Sequence, residues 1–80
     1  MNRIEIGEYL VVDQEVCHGQ LTFKGTRIPV ETVLTFLSMG YTIEEVLQDW
    51  KRLKREAVEE AIAFAAKLVS EKFPGEMFPG

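Results

Sequence analysis

A mainly α fold, three helices behind a short N-terminal β ribbon, is what three features of this 80-residue chain predict. Apolar residues recur at Val30, Val33, Leu34 and Leu37, the i, i+3, i+4, i+7 spacing that lines one face of a helix. Thr42 is followed three residues on by Glu45, the capping-box pattern that opens a second helix. The alanine-rich run Ala61-Ile62-Ala63-Phe64-Ala65-Ala66 marks a third, since alanine favours helix intrinsically and lets neighbouring helices approach closely. With 46% hydrophobic residues the chain suits one small domain. A chain this short buries only about 60% of its extended surface, so its stability is expected to be modest and contacts with other chains to matter.

Residues 1–8 are polar and short of pattern and read as a loosely held arm. Residues 9–72 read as a single helical domain that begins with the ribbon. Tyr9, Leu10, Val11 and Val12 are aromatic, aliphatic or β-branched and run into polar Asp13 and Gln14, which suits a strand. Leu21-Thr22-Phe23 alternates apolar and polar, and with His18-Gly19-Gln20 in the turn the two runs can pair antiparallel. Such a ribbon is marginal alone and must lean on helices or on another chain.

The junction Gly25-Thr26-Arg27-Ile28-Pro29-Val30 then joins the extended segment to the first helix. Gly25 tolerates the positive φ of a sharp turn. Pro29 has its φ preset and lacks the N–H that a first helical turn leaves unpaired, so Val30 is the natural start. Phe36 and Met39 broaden the first stripe, and Gly40 closes the helix. The second helix has its stripe at Ile43, Val46, Leu47 and Trp50, and losing the Thr42 hydroxyl should cost about 1 kcal/mol. The third runs from near Lys54 to about Lys72 with Val58, Ala61, Ile62, Ala65, Leu68 and Val69 expected inward. Phe-Pro-Gly stops it and recurs at the end of the tail, residues 73–80, whose Phe73, Met77 and Phe78 either fold back on the body, dock on a partner or stay disordered.

Several function classes are poorly served by this composition. A formal charge of −4 argues against a protein whose main work is gripping phosphate backbones, although a local basic face is compatible with it. There is no run of 18 apolar residues and no apolar leader core after Met1, so no membrane contact is expected and the expected location is the cytoplasm. Cys17 is the only cysteine and His18 the only histidine, which excludes a Cys-pair zinc site, and no cofactor or metal is expected. Adjacent in a strand, Cys17 and His18 point to opposite faces; a small enzyme using Cys17 is therefore the least favoured reading, and the expectation is no enzyme. Glu44, Glu45 and Asp49, with Glu56, Glu59 and Glu60, fall mostly opposite the apolar stripes and read as solvated faces.

Two groups of cations remain. Arg27 offers five fixed donors, either to clasp turn carbonyls or a carboxylate, or to contact a partner. Lys51, Arg52, Lys54 and Arg55 cluster where the second helix gives way to the third. In a helix-turn-helix, cations so placed position the second helix on DNA phosphates. Glu56, Glu59 and Glu60 oppose that use, and the cluster reads equally as a solvated turn.

Taken together, Asp13, Val16-Cys17-His18-Gly19, Gly25 to Val30, Gly40, Thr42 to Leu47, Leu53 and Ala61 to Ala66 resemble the signature of the domain of unknown function family 433. The resemblance spans roughly residues 9 to 68. It departs from the pattern at Gly19-Gln20-Leu21, where Gly-Lys-Pro is usual, and at Lys51-Arg52-Leu53-Lys54, where Pro-x-Leu-Thr is usual. What the resemblance implies is a homeodomain-like helix-turn-helix unit in an antitoxin-like protein that neutralises a small nuclease-like toxin of the PIN fold, with DNA-binding autoregulation by the complex. Phe73, Met77 and Phe78 would then anchor the toxin, and Arg27 or the Lys51 to Arg55 cluster would meet its acidic pocket. A homodimer or higher oligomer is expected, and the alternative function is a stand-alone dimeric helix-turn-helix DNA-binding transcriptional regulator whose ribbons pair across a two-fold axis.

Overall fold

The computed structural model describes residues 2–75. Their order is β1 (Arg3–Glu5), β2 (Leu10–Asp13), a 3-10 turn (Cys17–Gly19), β3 (Leu21–Phe23), α1 (Val30–Ser38), α2 (Ile43–Asp49) and α3 (Arg55–Lys72). The three strands form one antiparallel sheet in the order β1-β2-β3. Because successive side chains alternate, the register sorts the sheet into two faces. Leu10 opposite Phe23 faces the helices, whereas Arg3 opposite Asp13, and Val11 opposite Thr22, share the outer face.

The sequence reading of residues 1–8 as a loose arm needs correction at β1. Arg3-Ile4-Glu5 pairs with Val11 to Asp13, and Asn2 accepts a further hydrogen bond from the Gln14 N–H at 3.0 Å. The pairing is carried by the backbone and by charge: Arg3 lies 3.7 Å from Asp13, and Glu5 3.2 Å from Lys24. All three β1 residues are exposed, so there is little hydrophobic pattern for a sequence reading to find. Charged side chains on this open edge also discourage further strand addition.

β2 and β3 pair as expected, through a left-handed turn in which Cys17, His18 and Gly19 have φ of 50°, 57° and 84°. After β3 the chain reverses over Phe23 to Thr26, where the Thr26 N–H and hydroxyl both donate to the Phe23 carbonyl, at 3.1 and 2.8 Å, and Gly25 has φ 75°. It then returns beside β3, with the Phe23 N–H bonded to the Ile28 carbonyl at 3.1 Å and Thr22 bridged to Pro29. Pro29, at φ −68° and ψ 138°, caps α1, which starts at Val30.

The capping box of α2 is present. The Glu45 N–H donates to the Thr42 hydroxyl at 3.1 Å, and the Glu45 carboxylate accepts from the Thr42 N–H at 2.8 Å. Trp50 stands just past α2 and meets Phe36 edge-on at 5.1 Å, while Phe36 also meets Tyr41 at 5.0 Å. One core unites sheet and helices: Leu10, Phe23, Val30, Val33, Val46, Leu53, Ala57, Val58 and Ala61. Met39, read as broadening the α1 stripe, is exposed.

The larger departure is in α3. Only Ala57, Val58 and Ala61 are buried in it, while Ile62, Leu68 and Val69 are 40, 49 and 62% exposed. For Leu68 and Val69 the cause is length, whereas Ile62 is turned about 100° around the helix from its buried neighbour Ala61. At 1.5 Å per residue the 18 residues of α3 span about 27 Å, against about 14 Å for the nine of α1 and about 10 Å for the seven of α2. The apolar face of α3 therefore runs on past the elements that cover its first half. No helix among the described residues is long and apolar enough to cross a membrane.

Candidate functional site

The outer face of the sheet forms the floor of a cleft of about 360 Å³. Arg3 and Asp13 come from the β1–β2 pair, Val11 and Thr22 from the β2–β3 pair, and Gly25, Thr26 and Arg27 from the junction; Arg52 arrives from the turn before α3. The Arg52 guanidinium donates to the Gly25 carbonyl at 3.1 Å, which ties the α2–α3 turn to the junction. Arg27 is exposed and makes no ion pair among the described residues. Its backbone is held from behind, since the Cys17 thiol donates to the Arg27 carbonyl at 3.4 Å. Thr22 is 0% exposed and its hydroxyl has no hydrogen-bond partner among the described residues.

The cleft joins residues that the sequence offers separately. Arg27 reads as a turn clasp or a partner contact, and Arg52 as part of a cluster for DNA phosphates, for a partner's acidic pocket or for a solvated turn; the reversal at Gly25 brings both to one wall. Arg3 and Thr22 were not singled out at all. Thr22 is the polar member of an alternating triplet, so its placement on the outer face is legible, but its burial is set by Pro29 and the junction folding over it.

The other cations of the cluster separate. Arg55 pairs with Glu44 across the α2–α3 corner and lies 3.8 Å from Glu59. The Glu44 carboxyl is held below its ordinary range, first by its backbone hydrogen bond in the opening turn of α2 and then by the Arg55 charge. Lys51 and Lys54 are exposed.

The reading of Glu60 as part of a solvated face is overturned. Its carboxylate accepts the Glu8 N–H at 2.9 Å and the Tyr9 N–H at 2.7 Å, which fastens the β1–β2 turn to α3. Nothing local in the α3 sequence signals this, because the two amides lie 52 and 51 residues away.

A second surface is apolar. Leu21, Val30, Leu34, Phe64, Ala65 and Leu68 line a groove of about 370 Å³ between α1 and the second half of α3. Ile62 and Val69 on α3 and Phe73 just past its end, the last 63% exposed, follow one another at spacings of seven and four, one stripe of the helix. Phe73 thus stands at the far end of α3 from Arg52 and Arg55. Met77 and Phe78 lie outside the described residues.

A family model described as "Protein of unknown function (DUF433)" matches residues 10–65, from the start of β2 into the second half of α3. No curated protein and no solved structure matches the chain.

Proposed function

The chain belongs to the DUF433 family of proteins of unknown function, and from that premise we propose that it is an antitoxin-like interaction protein that acts in the cytoplasm, binding and neutralising a small nuclease-like toxin of the PIN fold. The observation that carries this reading is the uncovered apolar face of α3. Ile62, Leu68, Val69 and Phe73 are each at least 40% exposed, and Leu68 also lines the α1–α3 groove. Contiguous apolar surface of this kind on a small domain marks a protein contact, and aromatic and aliphatic anchors of this kind dominate binding energy once they are seated in a pocket. The helical unit is read with it as homeodomain-like, and DNA contact as a property of the complex. Two of the four cations proposed for DNA are already engaged, Arg52 with Gly25 and Arg55 with Glu44.

Co-expression with PIN-fold nucleases, beginning with the product of the adjoining gene, followed by assay of RNA cleavage, tests the proposal. Suppression by the native chain is expected. Val69→Asp and Phe73→Asp should each weaken it by about 2 kcal/mol or more, because each would bury a carboxylate against apolar partner surface. Both positions are exposed, so the domain itself should melt as before. Full suppression by both variants would discard the α3 face as the contact. A gel shift of upstream DNA by the complex but not by the chain alone, steeply reduced by salt, would support the autoregulatory part.

A further inference from the structure

We propose that the outer-face cleft is a binding site for a phosphate group, carried as a small phosphate monoester or as free phosphate. The reading does not depend on the nuclease partner. Three guanidinium groups, Arg3, Arg27 and Arg52, line one cleft, against the single carboxylate of Asp13. Asp13 is already occupied on both oxygens, one accepting the Glu15 N–H at 2.9 Å and the other 3.7 Å from Arg3. Glu5 lies at the margin, shared between Lys24 and Arg3. The excess positive charge suits a phosphate monoester, which carries about −1.5 to −2 at neutral pH.

A second and independent observation points the same way. The Thr22 side chain lies on the face that floors the cleft, is fully buried, and has an unpaired hydroxyl. Buried polar groups in folded proteins almost always have partners, so an orphan donor beneath three arginines calls for an acceptor. A tetrahedral oxyanion supplies enough oxygens to take bidentate contacts from two guanidiniums, and one more from the Thr22 hydroxyl once that closed-off side chain rotates toward the cleft, which a planar carboxylate does less well. Among the described residues Arg27 has no competing ion pair, and Arg52 gives up only its contact to the Gly25 carbonyl to reach the ligand. The volume of about 360 Å³ accommodates a small phosphorylated molecule rather than a bare ion alone.

Titration of the full chain with inorganic phosphate, glycerol 3-phosphate, sulfate and acetate at constant ionic strength in chloride, followed by the amide shifts of Thr22, Gly25 and Thr26, is the test. Saturable shifts are expected with both phosphates, at least about tenfold tighter than with acetate. Tighter binding of glycerol 3-phosphate would identify an organic phosphate as the ligand class, and tighter binding of inorganic phosphate the free anion. Arg27→Gln and Arg52→Gln should each weaken the phosphates about tenfold, and Lys51→Gln should leave them unchanged. Thr22→Val separates a binding role from a structural one: without ligand its melting temperature should equal or exceed that of the native chain, while the rise produced by phosphate is lost. Shifts that do not saturate, acetate as tight as phosphate, or native affinity in Arg27→Gln would overturn the proposal. Arg27 is exposed and its side chain makes no hydrogen bond or ion pair among the described residues, so that last variant decides the matter even if Arg52→Gln proves unstable.

Discussion

Phe23→Ala should lower the thermal midpoint of this domain by more than about 12 °C and remove about 3–5 kcal/mol of stability. Phe23 is 1% exposed and is the largest fully buried side chain of the core. It projects from a strand of only three residues onto the faces of the helices. The surrounding backbone is not free to collapse into the space, because the Phe23 N–H and carbonyl are both committed, to Ile28 and to Thr26. A cavity with such a fixed rim keeps most of its cost. An 80-residue domain has about 4–12 kcal/mol in total, so the variant would be largely unfolded near physiological temperature. Urea unfolding with an unchanged slope and a much lower midpoint checks this. A midpoint close to that of the native chain would mean that the sheet does not seal the core.

The second large effect belongs to Glu60. Glu60→Ala should cost about 2–3 kcal/mol, since two charge-assisted hydrogen bonds to the Glu8 and Tyr9 amides are lost together and the Tyr9 bond is partly buried. Glu60→Gln should cost roughly half as much, because its carbonyl keeps one acceptor while its NH2 faces the other amide donor. Glu59→Ala, one residue away and paired only with Arg55 at 3.8 Å, should stay within about 0.5 kcal/mol of native. Amide exchange at Glu8 and Tyr9 should quicken in the Glu60 variants alone. Gly7→Ala gives the complementary probe, for an added Cβ would stand 2.5 Å from the Glu60 carboxylate and forces it to shift from its present position on the two amides. Equal stability of Glu60→Ala and Glu59→Ala would remove Glu60 from the framework.

Helix positions were legible because their signals are local. The Val30 stripe, the Thr42–Glu45 box and the start near Lys54 each involve residues within one or two turns, and all three recur in the structure. What lay beyond reach is what distant segments do to one another. Periodicity in α3 identifies an apolar face correctly but says nothing of what covers it. Leu68 and Val69 continue the face of Val58 and Ala61, yet neither α1, which stands across a groove from Leu68, nor the shorter α2 covers them. Glu60 looks like any helix-surface acid until the turn at residues 7–9 is folded against it. The convergence of Arg3, Arg27 and Arg52 is equally hidden, because positions 24 or 25 residues apart meet only after the sheet is assembled and the chain has reversed at Gly25. β1 escaped notice for the opposite reason, since it is held by backbone pairing and charge and has only Ile4 as an apolar residue.

The most direct measurement of the central claim is hydrogen exchange on the full chain with and without a PIN-fold nuclease whose RNA cleavage it suppresses in the co-expression assay. Contact through the α3 face predicts slowed exchange along α1 and over residues 62 to 73, with residues 51 to 55 unaffected. Protection confined to residues 51 to 55, or none along the second half of α3 in a complex that still blocks RNA cleavage, would contradict the account.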